Sequence, residues 1–363
     1  MKKSKYTLSD TDTILHCGHT LRRILYVDGV KGGYAEKYSN LSQTGTCRIS
    51  NQAKVYDNAM VCGNAKVFDD AWVCGNAKVY GAARVSDNAK VFDDARVSGN
   101  AMVFDDAKVF DDAWVFGCAR VHDDAKVSDH ARVSDNAQVF DDAKVFDDAK
   151  VSDHAKVYGN ARVSDNARVY GDAKVFGYAD IYDYVQVYDN AEVYDNAQIF
   201  GDAWISGNIK IYGNAKVYGD AVISDNAWVF GCARVHDDAK VSDHAKVYGN
   251  ARVYGDAWVY GDAMVFGYAD IYGDATISDN AWVSGNAWVY GNTRVSGNAR
   301  VHGNARVYGN AWVCGNAQIY GGSWVCDDAL VHGNARVSDN AKVLRGMKVH
   351  NRVLSGPNPF ALV

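Results

Sequence analysis

The chain has 363 residues, 48% hydrophobic and 12% aromatic, with a net charge of −6 from 38 basic and 44 acidic side chains. That hydrophobic content is too high for a disordered chain, and the acidic balance gives no electrostatic reason to bind a nucleic-acid backbone. Leucine is almost absent from the middle, and the only prolines are Pro357 and Pro359. An irregular core needs large residues of varied shape, so a chain dominated by Ala, Val, Asp, Asn and Tyr points to repetition.

The first residues, Met1-Lys2-Lys3-Ser4-Lys5, are basic, but no apolar run comes after them as in a signal peptide, and no stretch approaches the ~18 apolar residues of a membrane span. Cysteines 17, 47, 62, 74, 118, 232, 314 and 326 form no C-x-x-C pair. A reduced, cytoplasmic protein is the expectation. Residues 1–44 read as an irregular N-terminal cap, with Leu8, Leu21, Ile24, Leu25 and Val27 available to cover the start of the repeat at Gly45.

Residues 45–344 are fifty consecutive hexads without insertion or deletion, for example Asp69-Asp70-Ala71-Trp72-Val73-Cys74. The fifth position is always Val or Ile; the third is Ala except at Cys47, Val185, Ile209, Thr293 and Ser323. An extended segment has period two, so positions three and five share one face and positions four and six the other. Ala and Val take the inside, because position four is mostly Lys or Arg and a row of charges stays in solvent. Asp, Asn and Gly at positions one and two suit sharp corners and left-handed backbone. Short strands with a corner every six residues predict an all-β, parallel β-solenoid. Residues 345–363 read as a C-terminal cap or tail, offering Met347, Val353, Leu354, Phe360 and Leu362. Caps have a purpose, since a solenoid end is an open sheet edge.

The hexapeptide pattern resembles the single-stranded left-handed β-helix, whose triangular coil takes three hexads. Fifty hexads then give about 17 coils and a length of ~80 Å. The segment 153–182 recurs closely at 243–272, a whole number of such coils, whereas the identical segments 117–130 and 231–244 are not separated by one. The N-terminal stretches Lys5-Tyr6-Thr7-Leu8-Ser9, Gly32-Gly33-Tyr34-Ala35-Glu36 and Asn40-Leu41-Ser42-Gln43, with Gly45 and Cys47, resemble the start of YdcK-like hexapeptide-repeat proteins, a family that includes phage and prophage members. The resemblance implies a left-handed β-helix and an acyltransferase using an acetyl-CoA-type donor. Here, however, no loop is inserted between coils, and such loops build the donor site in those enzymes.

Histidine is the base that acyl transfer needs. His122 and His236, each followed by two aspartates, are the candidate catalytic residues. The histidines of the repeat show no pair one coil apart, so no metal-holding ladder is expected. Asp-Asp corners such as Asp105-Asp106 and Asp141-Asp142 could in principle chelate calcium, but Lys108 and Lys144 beside them neutralise their charge, and they read as turn formers.

All nine tryptophans occupy position four, and eleven of the twelve phenylalanines position six. On an 18-residue coil, Phe140, Tyr158, Phe176, Tyr194, Tyr212, Phe230, Tyr248 and Phe266 form one aromatic stripe, and Tyr254, Tyr272, Tyr290 and Tyr308 another. The third column is serine-rich. Such stripes read as stabilising ladders or as a binding surface. Basic residues among aromatics raise single-stranded nucleic acid, which the acidic corners oppose. Ice binding lacks its threonine ladder. The sequence therefore predicts a non-catalytic interaction or assembly scaffold with a protein partner or self-association, no membrane and no cofactor. The alternative is acyl transfer by a surface histidine.

Overall fold

The computed structural model describes residues 4–356. Two compact units, Met1–Asp183 and Tyr184–Val363, make up the chain. In both, a hexad contributes a strand of two residues, from positions four and five, or of three, and within a unit the strands of the hexads pair in parallel eighteen residues on, as Lys90 does with Lys108 and Val91 with Val109. The coils number about 18 over both units, and the fold is an all-β parallel solenoid.

Register follows from burial. Every Ala or substitute at position three and every Val or Ile at position five, from Cys47 to Val343, is fully buried or nearly so. The polar substitutes are satisfied locally: Thr293 Oγ1 donates to the Tyr290 carbonyl at 2.6 Å, and Ser323 Oγ to that of Tyr320 at 2.6 Å. A buried hydroxyl bonded to its own corner avoids the cost of desolvating an unpaired group. The period also explains the mismatched duplication. Because each face reuses the same hexad, copying by any multiple of six preserves the core, and one that is not a multiple of eighteen moves outer residues to another face. His122 and His236 accordingly stand in different columns.

Backbone groups are consumed between coils. Within one coil, the N–H groups of Asn58, Met60 and Cys62 donate to the carbonyls of Gly75, Ala77 and Val79, while Ala59 N–H closes its corner on Tyr56 O. Position one has a positive φ at both Asp and Gly, as at Asp141 (57°) and Gly159 (67°). Its aspartate adds a bond of its own: Asp141 Oδ2 accepts Gly159 N–H at 3.0 Å, and Asp57 Oδ2 accepts Gly75 N–H at 3.1 Å. The corner aspartates are thus struts between coils. Position two carries a second ladder of amides, such as Asn298 to Asn316 at 3.0 Å and Asn316 to Asn334 at 3.1 Å.

The N-terminal segment is regular where an irregular cap was expected. Strands β1 (Tyr6–His16), β2 (His19–Tyr26) and β3 (Lys31–Ala35) form an antiparallel meander. Cys17 and Gly18, both at positive φ, make the two-residue turn between β1 and β2. Strand β3 then runs parallel to Lys54–Val55 and joins the ladder. Alternation at the end of β2 buries Ile24 and Tyr26 and turns Leu25 out, Leu21 is buried on the other side of a break in that alternation, and Leu25 and Val27, both exposed, do not cover the first coil.

Rungs continue beyond Leu344. Lys348–His350 pairs with Leu330–His332, and Val353–Ser355 with Arg336–Ser338 one residue out of step. That slip puts Val353 in an outward position, 67% exposed, so it covers nothing. Phe360 and Leu362 lie outside the described residues.

The corner geometry makes a prediction. Asp141→Ala keeps a Cβ at positive φ and loses the strut, and is expected to cost about 1–2 kcal/mol. Asp141→Gly loses the strut but relieves the backbone and should cost less. Urea denaturation of both variants checks the order; an alanine variant as stable as the glycine variant contradicts it.

Candidate functional site: the outer aromatic and cationic columns

Positions four and six carry the outward chemistry. The aromatic stripe is present in both units as stacked rings. In unit 1, Phe140, Tyr158 and Phe176 follow one another at 4.8 Å with planes within 4°. In unit 2, Tyr194, Tyr212, Phe230, Tyr248 and Phe266 are spaced 4.8–4.9 Å with planes within 5°. The ring spacing equals the ordinary distance between paired strands. Ring faces are therefore used on one another, and each contact stabilises the sheet by about 0.2–1 kcal/mol. What a partner meets along these columns is a row of ring edges and hydroxyls.

The second stripe is longer than expected. It includes Phe200 and Tyr218 and passes through His236 before Tyr254, Tyr272, Tyr290 and Tyr308. His122 is likewise sandwiched, 4.7 Å from Phe104 and 5.1 Å from Phe140. Both candidate catalytic histidines are thus members of ladders. Each is fixed by the following aspartate: His122 Nδ1 lies 2.8 Å from Asp123 Oδ2, and His236 Nδ1 3.2 Å from Asp237 Oδ2. Asp123 Oδ2 also accepts the Asp141 N–H at 3.3 Å, so the carboxylate serves the corner as well. A histidine pair one coil apart stands at the end of the ladder, where His350 lies beyond the hexads to which the expectation applied. His332 and His350 stack at 4.3 Å, their Nδ1 atoms 3.0 Å apart.

Burial raises the phenol pKa along the stripes. Tyr194, Tyr212 and Tyr248 shift upward chiefly by desolvation. Tyr272 is pushed up to about 12, first by burial and then by the hydroxyls of Tyr290 and Tyr254 and the carboxylate of Asp270.

Tryptophans at position four are combined with cations. In unit 2, Trp228 lies between Lys210 (5.6 Å) and Lys246 (5.1 Å), and Arg300 covers Trp282 at 4.7 Å. These side chains and a column of Asn208, Asn226 and Asn280 line a groove of about 1070 Å³. On another face of unit 2, Trp204, Trp258 and Trp312 are 46–47% exposed. Trp258 Nε1 donates to Ser242 Oγ at 3.4 Å and Trp312 Nε1 to Ser296 Oγ at 3.3 Å. Those bonds lay the indoles across the serine-rich column, where Trp258 also packs on Tyr260 at 4.9 Å and Trp204 meets Tyr188 edge-on at 6.3 Å.

A polar cluster in unit 1 has no counterpart among the candidates drawn from sequence. His19 places Nδ1 3.2 Å from Glu36 Oε1 and Nε2 3.2 Å from Asp57 Oδ1, tying the meander to the first coils. Glu36 Oε2 accepts the Asp57 N–H at 2.7 Å. Among the described residues, this trio and Asp105, His122 and Asp123 are the groups whose ligand atoms converge closely enough for a metal ion. No histidine periodicity announces the first, because its members come from β2, the end of β3 and a corner.

Short parallel rungs, an Ala/Val interior and two-residue corners define a hexapeptide-type β-solenoid. A family model described as the YdcK beta solenoid repeat matches residues 95–109, 155–171, 245–261, 271–285, 293–309 and 299–315. Several repeats of the chain thus match that family's repeat, and the chain is a β-solenoid. Among solved structures, the UDP-N-acetylglucosamine acyltransferase of Arabidopsis is similar at 13% identity, covering 61% of this chain and 70% of that one, with a TM-score of 0.34. No curated protein matches the chain in sequence.

The tyrosine stripe makes a prediction for alkaline pH. A phenol ionises near pH 10 in an unfolded chain. The stability contributed by the raised pKa of Tyr272 is complete below that pH and is lost as pH rises through about 12. Thermal unfolding followed over this window is expected to show Tyr272→Phe declining less steeply than the native chain. Equal slopes would show that this phenol is not shifted.

Proposed function

We propose that the protein is a non-catalytic interaction scaffold that presents side-chain columns, at fixed spacing, to a protein partner in the cytoplasm. The observation that carries this reading is the exposure of Trp204, Trp258 and Trp312 on unit 2. Large exposed indoles among cations mark contact surfaces, where Trp and Arg supply most of the binding energy. The ring edges of the stripe, Phe140, Tyr158 and Phe176 in unit 1 and Tyr194 to Phe266 in unit 2, extend the surface available to such a partner. If the gene is phage-borne, as some members of the resembling family are, the partner is a host protein.

Acyl transfer from an acetyl-CoA-type donor is the second reading, favoured by the aspartate that orients His122 with Nδ1 at 2.8 Å. Against it, both faces of that imidazole are covered by Phe104 and Phe140, and the two-residue corners supply no chain from which to build a donor cleft. Thermal unfolding with increasing acetyl-CoA separates the two. The scaffold reading predicts no saturable rise in Tm, whereas a rise abolished by His122→Ala or His236→Ala would establish a donor site.

A further inference from the structure

Trp204, Trp258 and Trp312, the most exposed tryptophans of unit 2, belong to a pattern with a period of three coils. Along that column, position four reads Trp204, Val222, Lys240, Trp258, Thr276, Arg294, Trp312, Leu330, Lys348, each side chain on the rung after the last. Every third rung carries an indole, the next a β-branched or aliphatic side chain, and the next a cation. Among the described residues of unit 2, the cation–ring approach along this column is that of Lys240 to Trp258, at the long distance of 6.0 Å.

Taken in the opposite direction, the same column is its own complement. If a second copy is laid antiparallel with Thr276 on Thr276, Trp204 meets Lys348, Val222 meets Leu330, Lys240 meets Trp312 and Trp258 meets Arg294. Each of these pairs then occurs twice. A two-fold interface of this kind needs a self-complementary surface, and cation–indole pairing supplies one. We propose that unit 2 pairs with a second copy of the chain through this face, about a two-fold axis at Thr276. The proposal rests on the scaffold reading and names the partner of this one face.

The size of the face fits a weak dimer. Nine rungs of a four-residue side span about 38 Å by about 13 Å, on the order of 500 Å² of flat area per copy. The total of ~1,000 Å² stands at the lower limit for specific interfaces, so association is expected in the micromolar range. The corner column beside the indoles opposes pairing where this register sets Asp274 on Asp274 and Asp220 on Asp328, while Asp202, Asp238 and Asp256 face Gly346, Asn310 and Asn292. Salt screens such charges, so association is expected to strengthen as ionic strength rises from a low value.

Sedimentation of the full chain over a range of concentrations tests this. The expected result is a concentration-dependent dimer, weakened on the order of tenfold by Arg294→Glu with Tm unchanged. Thr276→Cys, on the axis, should cross-link to itself under mild oxidation above the background of the native thiols, and Val222→Cys should not. A monomer at every concentration, a dimer indifferent to Arg294→Glu, or equal cross-linking of the two cysteine variants would overturn the proposal. None of these results touches the scaffold reading, which stands or falls on the acetyl-CoA titration.

Discussion

The narrowness of the coil interior sets the terms for everything outside it. An interior that admits one Ala and one Val per side leaves no space for a ring or a charge, so every larger side chain must go outward or to a corner. Position five can vary only between Val and Ile. At position three, the bulkier Val185 and Ile209 are accommodated without exposure. Identical backbone on every coil then forces outer side chains into columns, at the distance between paired strands. Columns of rings stack, columns of corner aspartates brace the next coil, and columns of asparagine bond along the axis.

Much of the fold was legible because the hexad is strict. The inward Ala and Val, the outward Lys and Trp and the corner Asp and Gly follow from period two and from the cost of burying charge. The meander at the N-terminus was not legible as regular structure. Its strands are longer than any in the repeat, and β1 and β2 shift register between Leu8 and Thr13. The ends of the ladder were also missed, since Arg345-Gly346-Met347 breaks the corner signature while Lys348–His350 keeps the rung. His350 therefore escaped notice as a neighbour of His332.

At the candidate site, the tyrosine and phenylalanine stripe could be placed from the eighteen-residue period alone. Its chemistry could not, because a column on paper does not say whether rings face each other or solvent. Stacking at 4.8–4.9 Å shows that ring faces are used internally, and His122 and His236 are structural members of the same ladders. The indole column of unit 2 went unread for a different reason. Its three-coil period spans fifty-four residues, longer than any single repeat displays.

The central claim is that an eighteen-residue coil fixes which side chains share a column. Deleting residues 213–230 removes one coil and leaves every remaining residue in its column, so the shortened chain is expected to unfold at nearly the native temperature. Deleting residues 213–217 moves every later Ala and Val out of step with the interior, and that chain should lose cooperative unfolding. Comparable thermal unfolding of the two deletions would contradict the account.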